Sequence, residues 1–366
     1  MTNSIKFVLL FAVLPACARV AEGRATRDLE IGKASIDGVS VTMKDGLANV
    51  RSLAPGELRL WAQAPSLHIE VKLGQGAGGP FRVVVENSLA DAELVAKRPG
   101  EDERPAMLEA SPAPTELHFA IDLAPGTTET LSLRPPDEAG IGSFRFAVYA
   151  DVQEKLDIVQ DIYSKMNEDP TIRFALISGD LTSQGTDEQL SRFQREMKTL
   201  RFPCYATLGN HELGTRDDAF HDYFGRGNFS FAYRGVHFTL LDAASATIDP
   251  IVYDLLGSWL AAGKNRGHVV AMHIPPIDPV GTRNGSFANR AEADKLLSLL
   301  SEGSVDFTFY GHVHSYYAYE NAGIPAYITG GGGAIPERLD GIGRHFLTVD
   351  VTSEGIVKDP ALVRVD

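Results

Sequence analysis

Five times after residue 143 a short apolar run stops abruptly at residues able to coordinate a metal. Phe144 to Ala150 runs into Asp151-Val152-Gln153, and Phe174 to Ser178 into Gly179-Asp180. Tyr205 to Leu208 runs into Gly209-Asn210-His211-Glu212, Val269 to Met272 into His273, and Phe307 to Tyr310 into Gly311-His312-Val313-His314. Helical patterns over about Lys155 to Asn167 and Asp187 to Thr199 separate the first of these runs. Strand-like runs alternating with helical ones predict an α/β arrangement with largely parallel strands. Ligands bind such sheets beyond the carboxyl ends of the strands, so residues at these exits are the ones placed to do chemistry. Taken singly, each exit has an ordinary explanation: an Asp after a strand is commonly a cap, Gly-Asn a turn, and a lone His a hydrogen-bonded residue. Five coincident exits of this composition point instead to one polar, metal-ligating edge.

Before residue 137 the pattern is different. Leu58 to Trp61, Leu67 to Val71, Phe81 to Val85 and Leu117 to Ile121 are short alternating or β-branched runs punctuated by Gly, Pro, Ser and Asn, which predicts an antiparallel β-sandwich. Gly74 to Gly79 lacks the Lys-Ser/Thr pair of a phosphate loop and reads as a hairpin tip. Arg134-Pro135-Pro136-Asp137-Glu138-Ala139-Gly140 marks a linker. The expected division is therefore residues 1–22 as a targeting segment, 28–138 as the sandwich and 142–366 as the α/β unit.

The targeting segment is read from Lys6, the apolar run Phe7 to Ala16, and the small residues around Ala16-Cys17-Ala18. The run is too short to span a bilayer as a helix. Two processing routes fit: cleavage at a small-x-small site, or lipid attachment at Cys17 in a lipobox-like Leu14-Pro15-Ala16-Cys17. Pro15 fits the second poorly, and the balance tilts only slightly toward it. Either route implies an exported chain, in the periplasm, on the envelope or secreted. With Cys17 removed or lipidated, Cys204 has no internal partner, which excludes a disulfide framework. A formal charge of −14 excludes a broad electrostatic grip on nucleic acid or anionic lipid.

The motif order Asp-x-Gln, Gly-Asp, Gly-Asn-His-Glu, His and Gly-His-x-His resembles that of the calcineurin-like metallophosphoesterases, over about Ser143 to the C-terminus. Leu241-Asp242, Trp259-Leu260 and His273-Ile274-Pro275-Pro276 match as well. The resemblance implies a four-layer αββα sandwich and two divalent or trivalent ions, Mn, Fe or Zn. Asp180 would bridge them, with Asp151, Gln153 and His314 on the first ion and Asn210, His273 and His312 on the second. It implies hydrolysis of phosphate mono- or diesters by a metal-bridging hydroxide, with His211 stabilising the transition state and protonating the leaving oxygen. Glu212 would orient neighbours rather than bind metal. The chain departs from the family at Gln153, where His is usual. A neutral amide that ligates only through oxygen holds the first ion less tightly. That departure supports the rival expectation, a binding or scaffold protein that keeps the fold without turnover. His68, His118, His221, His237, His268 and His345 read as structural. Tyr316 and Tyr317 are expected to pack on a strand, with a place in a substrate cleft as the alternative. The glycines at 330–333 read either as a close backbone approach to the centre or as a plain turn.

Overall fold

The computed structural model describes residues 23–365 except 139, 141, 215, 217, 282–284 and 339. The expected targeting segment lies outside the described residues. Among those described, no helix is long and apolar enough to cross a membrane.

Two sheets form the C-terminal part. The first runs in the order Cys204–Thr207, Ile172–Ser178, Phe144–Tyr149, His345–Val351, Ala361–Arg364. The second runs Phe229–Tyr233, Val236–Leu241, His268–Met272, Phe307–Tyr310, Ile324–Thr329, Tyr316–Asn321. The strands that carry the five exits are parallel to their neighbours in each sheet, so their carboxyl ends share one edge. Antiparallel strands flank them, of which His345–Val351 and Ala361–Arg364 were not expected from the sequence. Alternation explains why the sheets stack. Phe146, Val148, Phe174 and Leu176 face Phe238, Leu240, Val269 and Phe309 in a buried layer between the sheets. Phe238 meets Phe146 and Phe174 edge-on there, with each pair of ring centroids 5.2 Å apart. The intervening Ala147, Tyr149, Ala175 and Ile177 face outward under the helices Gln160–Asn167 and Asp187–Met197. On the far side Val270, Met272 and Ile328 lie under Pro250–Gly263 and Arg290–Glu302. Helix, sheet, sheet and helix give the expected four layers.

The N-terminal part is a sandwich of a six-stranded and a five-stranded sheet. It is not wholly antiparallel, because Glu57–Ala62 pairs in parallel with Gly79–Glu86. Residues 74–79 are a crossover between the two sheets rather than a hairpin tip, since Leu67–Leu73 belongs to one sheet and Gly79–Glu86 to the other.

The sandwich covers the open edge of the first C-terminal sheet. Cys204–Thr207 pairs on one side only, which would leave a row of backbone groups facing the sandwich. Two buried amides take them. Asn87 Oδ1 accepts from Cys204 N at 2.9 Å while Asn87 Nδ2 donates to Cys204 O at 2.7 Å. Two residues on, Gln63 Oε1 accepts from Ala206 N at 3.3 Å and Gln63 Nε2 donates to Ala206 O at 3.2 Å. Each side chain thus imitates one rung of a missing strand, at the period of 2 that a strand edge requires.

The chain reaches the sandwich by way of the C-terminal part. Residues 23–28 are helical, and two of their charged side chains are buried against it. Arg24 is 1% exposed and donates to both carboxylate oxygens of Asp242, at 2.6 and 3.1 Å, and to Ser245 Oγ at 3.0 Å. Asp28 accepts from Gly227 N, Asn228 N and Asn228 Nδ2 at 2.8 to 3.0 Å, and its Oδ1 lies 3.0 Å from His221 Nε2.

Replacing Asn87 by Ala should orphan the buried N–H and C=O of Cys204, at about 1–3 kcal/mol for each group left without a partner. The expected outcome is a lower denaturant midpoint with an unchanged slope. An unaltered midpoint would show that the edge is satisfied in some other way.

Candidate metal centre

All five exits converge. Asp151 and Asp180 are 0% and 1% exposed, and together with His273 they offer ligand atoms within 4.8 Å of one another. Asp180 stands in the middle. Its Oδ2 lies 2.7 Å from Gln153 Nε2 and 3.3 Å from His273 Nε2, and its Oδ1 accepts from His211 N at 2.9 Å. To one side His314 Nε2 sits 3.5 Å from Asp151 Oδ1 and 3.2 Å from Gln153 Nε2. To the other, Asn210 Oδ1 lies 3.0 Å from His273 Nε2 and 2.9 Å from His312 Nδ1. The seven residues expected to hold metal thus form two groups of three about one carboxylate.

The imidazoles are aimed from behind. His273, His211 and His314 donate their Nδ1–H to the carbonyls of Ser178, Ser183 and Ile335, at 2.8, 2.7 and 2.7 Å, which turns each Nε2 into the site. These carbonyls have no signature in the sequence, since any residue supplies one. His211 is the most open of the three, its side chain 35% exposed, with Nε2 3.8 Å from Asp180 Oδ2.

Electrostatics couple the cluster. Burial alone would raise the Asp180 carboxyl, but His273 and His211 hold it well below the usual carboxylate range. Burial works the other way on His273 and is overridden by Asp180, which lifts it to about 9. Burial, then Asp180, pushes Glu212 up to about 7. Glu212 Oε1 accepts from Thr182 N and Oγ1 at 3.0 and 3.1 Å, and Oε2 accepts from Gly209 N at 2.9 Å. It ties the loop after Asp180 to the loop bearing Asn210 and His211, and in that way orients them.

The backbone is strained where these side chains leave the sheets. Asp151, Gln153, Asp180 and His312 have φ of +63°, +47°, +54° and +69°, each at a cost of about 1–3 kcal/mol. Crossed hydrogen bonds hold them: Asp151 N donates to Gly179 O at 3.1 Å, Val152 N to Asp180 O at 2.9 Å, and His312 N to the Asp151 carboxylate at 3.0 Å. The glycines at 330–333 make a close backbone approach rather than a plain turn. Gly332 N donates to Ala150 O at 2.8 Å and Ala334 N to Asp151 O at 2.8 Å, so this loop grips the backbone of Asp151. A Cβ on Gly332 would stand 2.3 Å from Ala150 O. At Gly209 a Cβ would stand 2.1 Å from Asp180 Oδ1.

Histidines outside the cluster have structural partners or burial. His118 joins Glu116 and Arg82, His221 meets Asp28, and His268 is buried beside Thr239. Tyr316 and Tyr317 lie on the outermost strand of the second sheet, Tyr316 edge-on to His345.

Stacked α/β sheets with carboxylates, imidazoles and amides gathered at their shared carboxyl edge define a metallophosphoesterase-type domain. Residues 144–316 match the family model of the calcineurin-like phosphoesterases. The N-terminal sheets lie outside the match. A 3',5'-cyclic-nucleotide phosphodiesterase of Nostoc sp. is 24% identical over 157 residues, which are 40% of this chain and 57% of that protein. The chain therefore spans little more than half the length of that curated relative. A purple acid phosphatase from yellow lupin (Lupinus luteus) superposes with a TM-score of 0.51 at 15% identity, over 82% of this chain and 72% of that one, a likeness of fold.

Replacing Gly332 by Ala should force the loop off Asp151, at a cost of about 1–3 kcal/mol, and reduce the metal retained by the purified protein. Gly257→Ala, at a helical position with open space around it, is the control and should leave stability unchanged or raise it by up to about 1 kcal/mol. Equal behaviour of the two variants would remove the gripping role.

Proposed function

We propose that the chain hydrolyses phosphate mono- or diesters at a centre of two metal ions. The observation that carries the reading is the position of Asp180 between two groups of donors, each with an imidazole turned inward. These residues suit a pair of cations. Two buried carboxylates and two buried imidazoles within a few ångströms, with the half-buried His312 beside them, are costly without compensating positive charge, and the mixture of oxygen and nitrogen donors suits Mn, Fe or Zn. Asp151, Gln153, Asp180 and His314 would hold one ion, and Asp180, Asn210, His273 and His312 the other. When bound, such a pair supplies Lewis acidity, generating a nucleophile from water at neutral pH and offsetting the charge of the phosphoryl group.

The rest of the chemistry falls to the chain. His211, fixed at Nδ1 by the Ser183 carbonyl and open at Nε2, is placed to stabilise charge on the phosphoryl oxygens and to hand a proton to the leaving oxygen. Glu212 positions the two loops that carry Asp180 and His211 and stays off the metals. Both classes of ester share this fold and donor set, and the Nostoc relative acts on a cyclic diester. A diester is therefore the first class to assay.

Gln153 favours a second reading, a scaffold that keeps the fold without turnover. A neutral amide that ligates only through oxygen holds an ion less tightly than the imidazole usual at this position.

Purified protein loaded with Mn, Fe, Zn or Mg should carry about two ions per chain by elemental analysis and cleave an aryl phosphate or a bis-aryl phosphate. Asp180→Ala and His312→Ala should abolish turnover, and Gln153→His should raise occupancy of the weaker site. One ion or none, with no turnover under any metal, would decide for the scaffold. Turnover that survives in both Ala variants would reject the site.

A further inference from the structure

The N-terminal segment enters the described structure at the edge that carries the candidate centre. Leu241 pairs with Met272, so the strand ends that precede Asp242 and His273 lie side by side. Arg24 is locked to Asp242 by a buried bidentate ion pair, which fixes the first described turn of the chain beside His273. Cys17 lies seven positions before Arg24, a reach of at most about 25 Å. By the lipid-attachment route, a lipid at Cys17 would be held within that reach of this edge.

A second, independent observation concerns exposed apolar side chains. Scattered single ones are normal on a protein surface. Here Ile158, Ile251, Ile277 and Ile335 are 45%, 40%, 46% and 69% exposed. All four lie on connections that leave the carboxyl ends of strands. Ile158 follows the 3-10 turn Gln153–Asp157 after Phe144–Tyr149, and Ile251 is in the first turn of the helix after Val236–Leu241. Ile277 follows His268–Met272, and Ile335 follows Ile324–Thr329. Ile335 also supplies the carbonyl that holds His314. At the opposite edge of these sheets Ile356 is the one large apolar side chain exposed among the described residues.

We propose that the carboxyl edge faces a lipid bilayer, tethered through the N-terminal segment and seated by the exposed isoleucines, so that the centre works on phosphoesters at a membrane surface. The orientation stands on the tether and the apolar side chains, and the substrate class rests on the phosphoesterase reading above. Because the chain is strongly acidic, attachment through apolar contact should persist at high salt, where electrostatic attachment is screened.

The test uses the full chain, processed in cells and reconstituted on vesicles of mixed phosphatidylethanolamine and phosphatidylglycerol. A polarity-sensitive fluorophore is placed on Ile277→Cys, Ile335→Cys or Ile356→Cys. Cys204 is buried and does not compete for label, and labelling of the parent chain sets the background for Cys17. The fluorophores at 277 and 335 should shift to the blue and be quenched by lipid-borne quenchers, while that at 356 should keep its aqueous spectrum. Failure to bind the vesicles, quenching at 356, or aqueous spectra at all three positions would overturn the orientation. This readout involves no turnover, so it stands even if the centre hydrolyses nothing. For the substrate class, a phosphoester anchored in the same vesicles should be cleaved faster by the bound chain than its water-soluble counterpart. A flexible insertion between residues 22 and 23 should erase that difference, and an equal rate for both substrates in the uninterrupted chain would overturn the membrane substrate.

Discussion

The cost of burying charge organises this molecule. Asp151 and Asp180 have no access to water, and a buried carboxylate without a partner is untenable in a folded chain. The resolution is local and crowded. His273 and His211 hold Asp180 ionised, and Gln153 Nε2 and His211 N donate to it. The backbone of His312 donates to Asp151. His273 and His211 are themselves held by the carbonyls of Ser178 and Ser183 behind them. Removing one member leaves a charge or a donor stranded, so the cluster is better regarded as one unit than as a sum of pairs.

That crowding explains the strain. Parallel strands deliver their ends to a common edge about 4.8 Å apart, but their side chains would alternate above and below the sheet. Bringing Asp151, Gln153, Asp180 and His312 to one point requires the backbone to turn sharply as it leaves each strand. A positive φ at a residue that must keep its side chain is the means. Glycine would relieve the strain and lose the ligand. The glycines stand instead in the partners, at Gly209 and Gly332, where the closely approaching backbone leaves no room for a Cβ. The polar residues at the strand exits accept the strain, and their neighbours are pared down to make space for it.

This division decides what could be read from the sequence. The five exits were legible because each combines an apolar run with a polar stop, and the structure gathers all seven expected ligating residues and His211 at one edge. The layer order followed from the family resemblance, and the alternation of Phe146 and Ala147, or Phe174 and Ala175, is how the chain builds it. What could not be read depends on backbone atoms or on distant pairing. The Ser178, Ser183 and Ile335 carbonyls have no residue signature. Asn87 and Gln63 look like ordinary loop amides until the edge of Cys204–Thr207 is known to be open on their side. The run at 330–333 matched two readings because the sequence does not show what approaches it.

The same open edge gives the N-terminal sheets a physical role. A strand such as Cys204–Thr207, four buried residues ending three positions before Asn210, could pair with another chain if its outer side were bare. Asn87 and Gln63 end that pairing without adding a strand, and Asn87 itself adopts φ of +60°, a conformation Asn tolerates better than most residues. Arg24 and Asp28 act from the other direction. They fix Asp242, Gly227 and Asn228, and Asn228 Oδ1 in turn accepts from Asp242 N at 2.8 Å. Both devices bear on the strand ends next to Asn210 and His273. The sandwich and the segment before it thus limit how far the second group of donors can drift, which is the freedom a centre built on strained strand ends has least tolerance for.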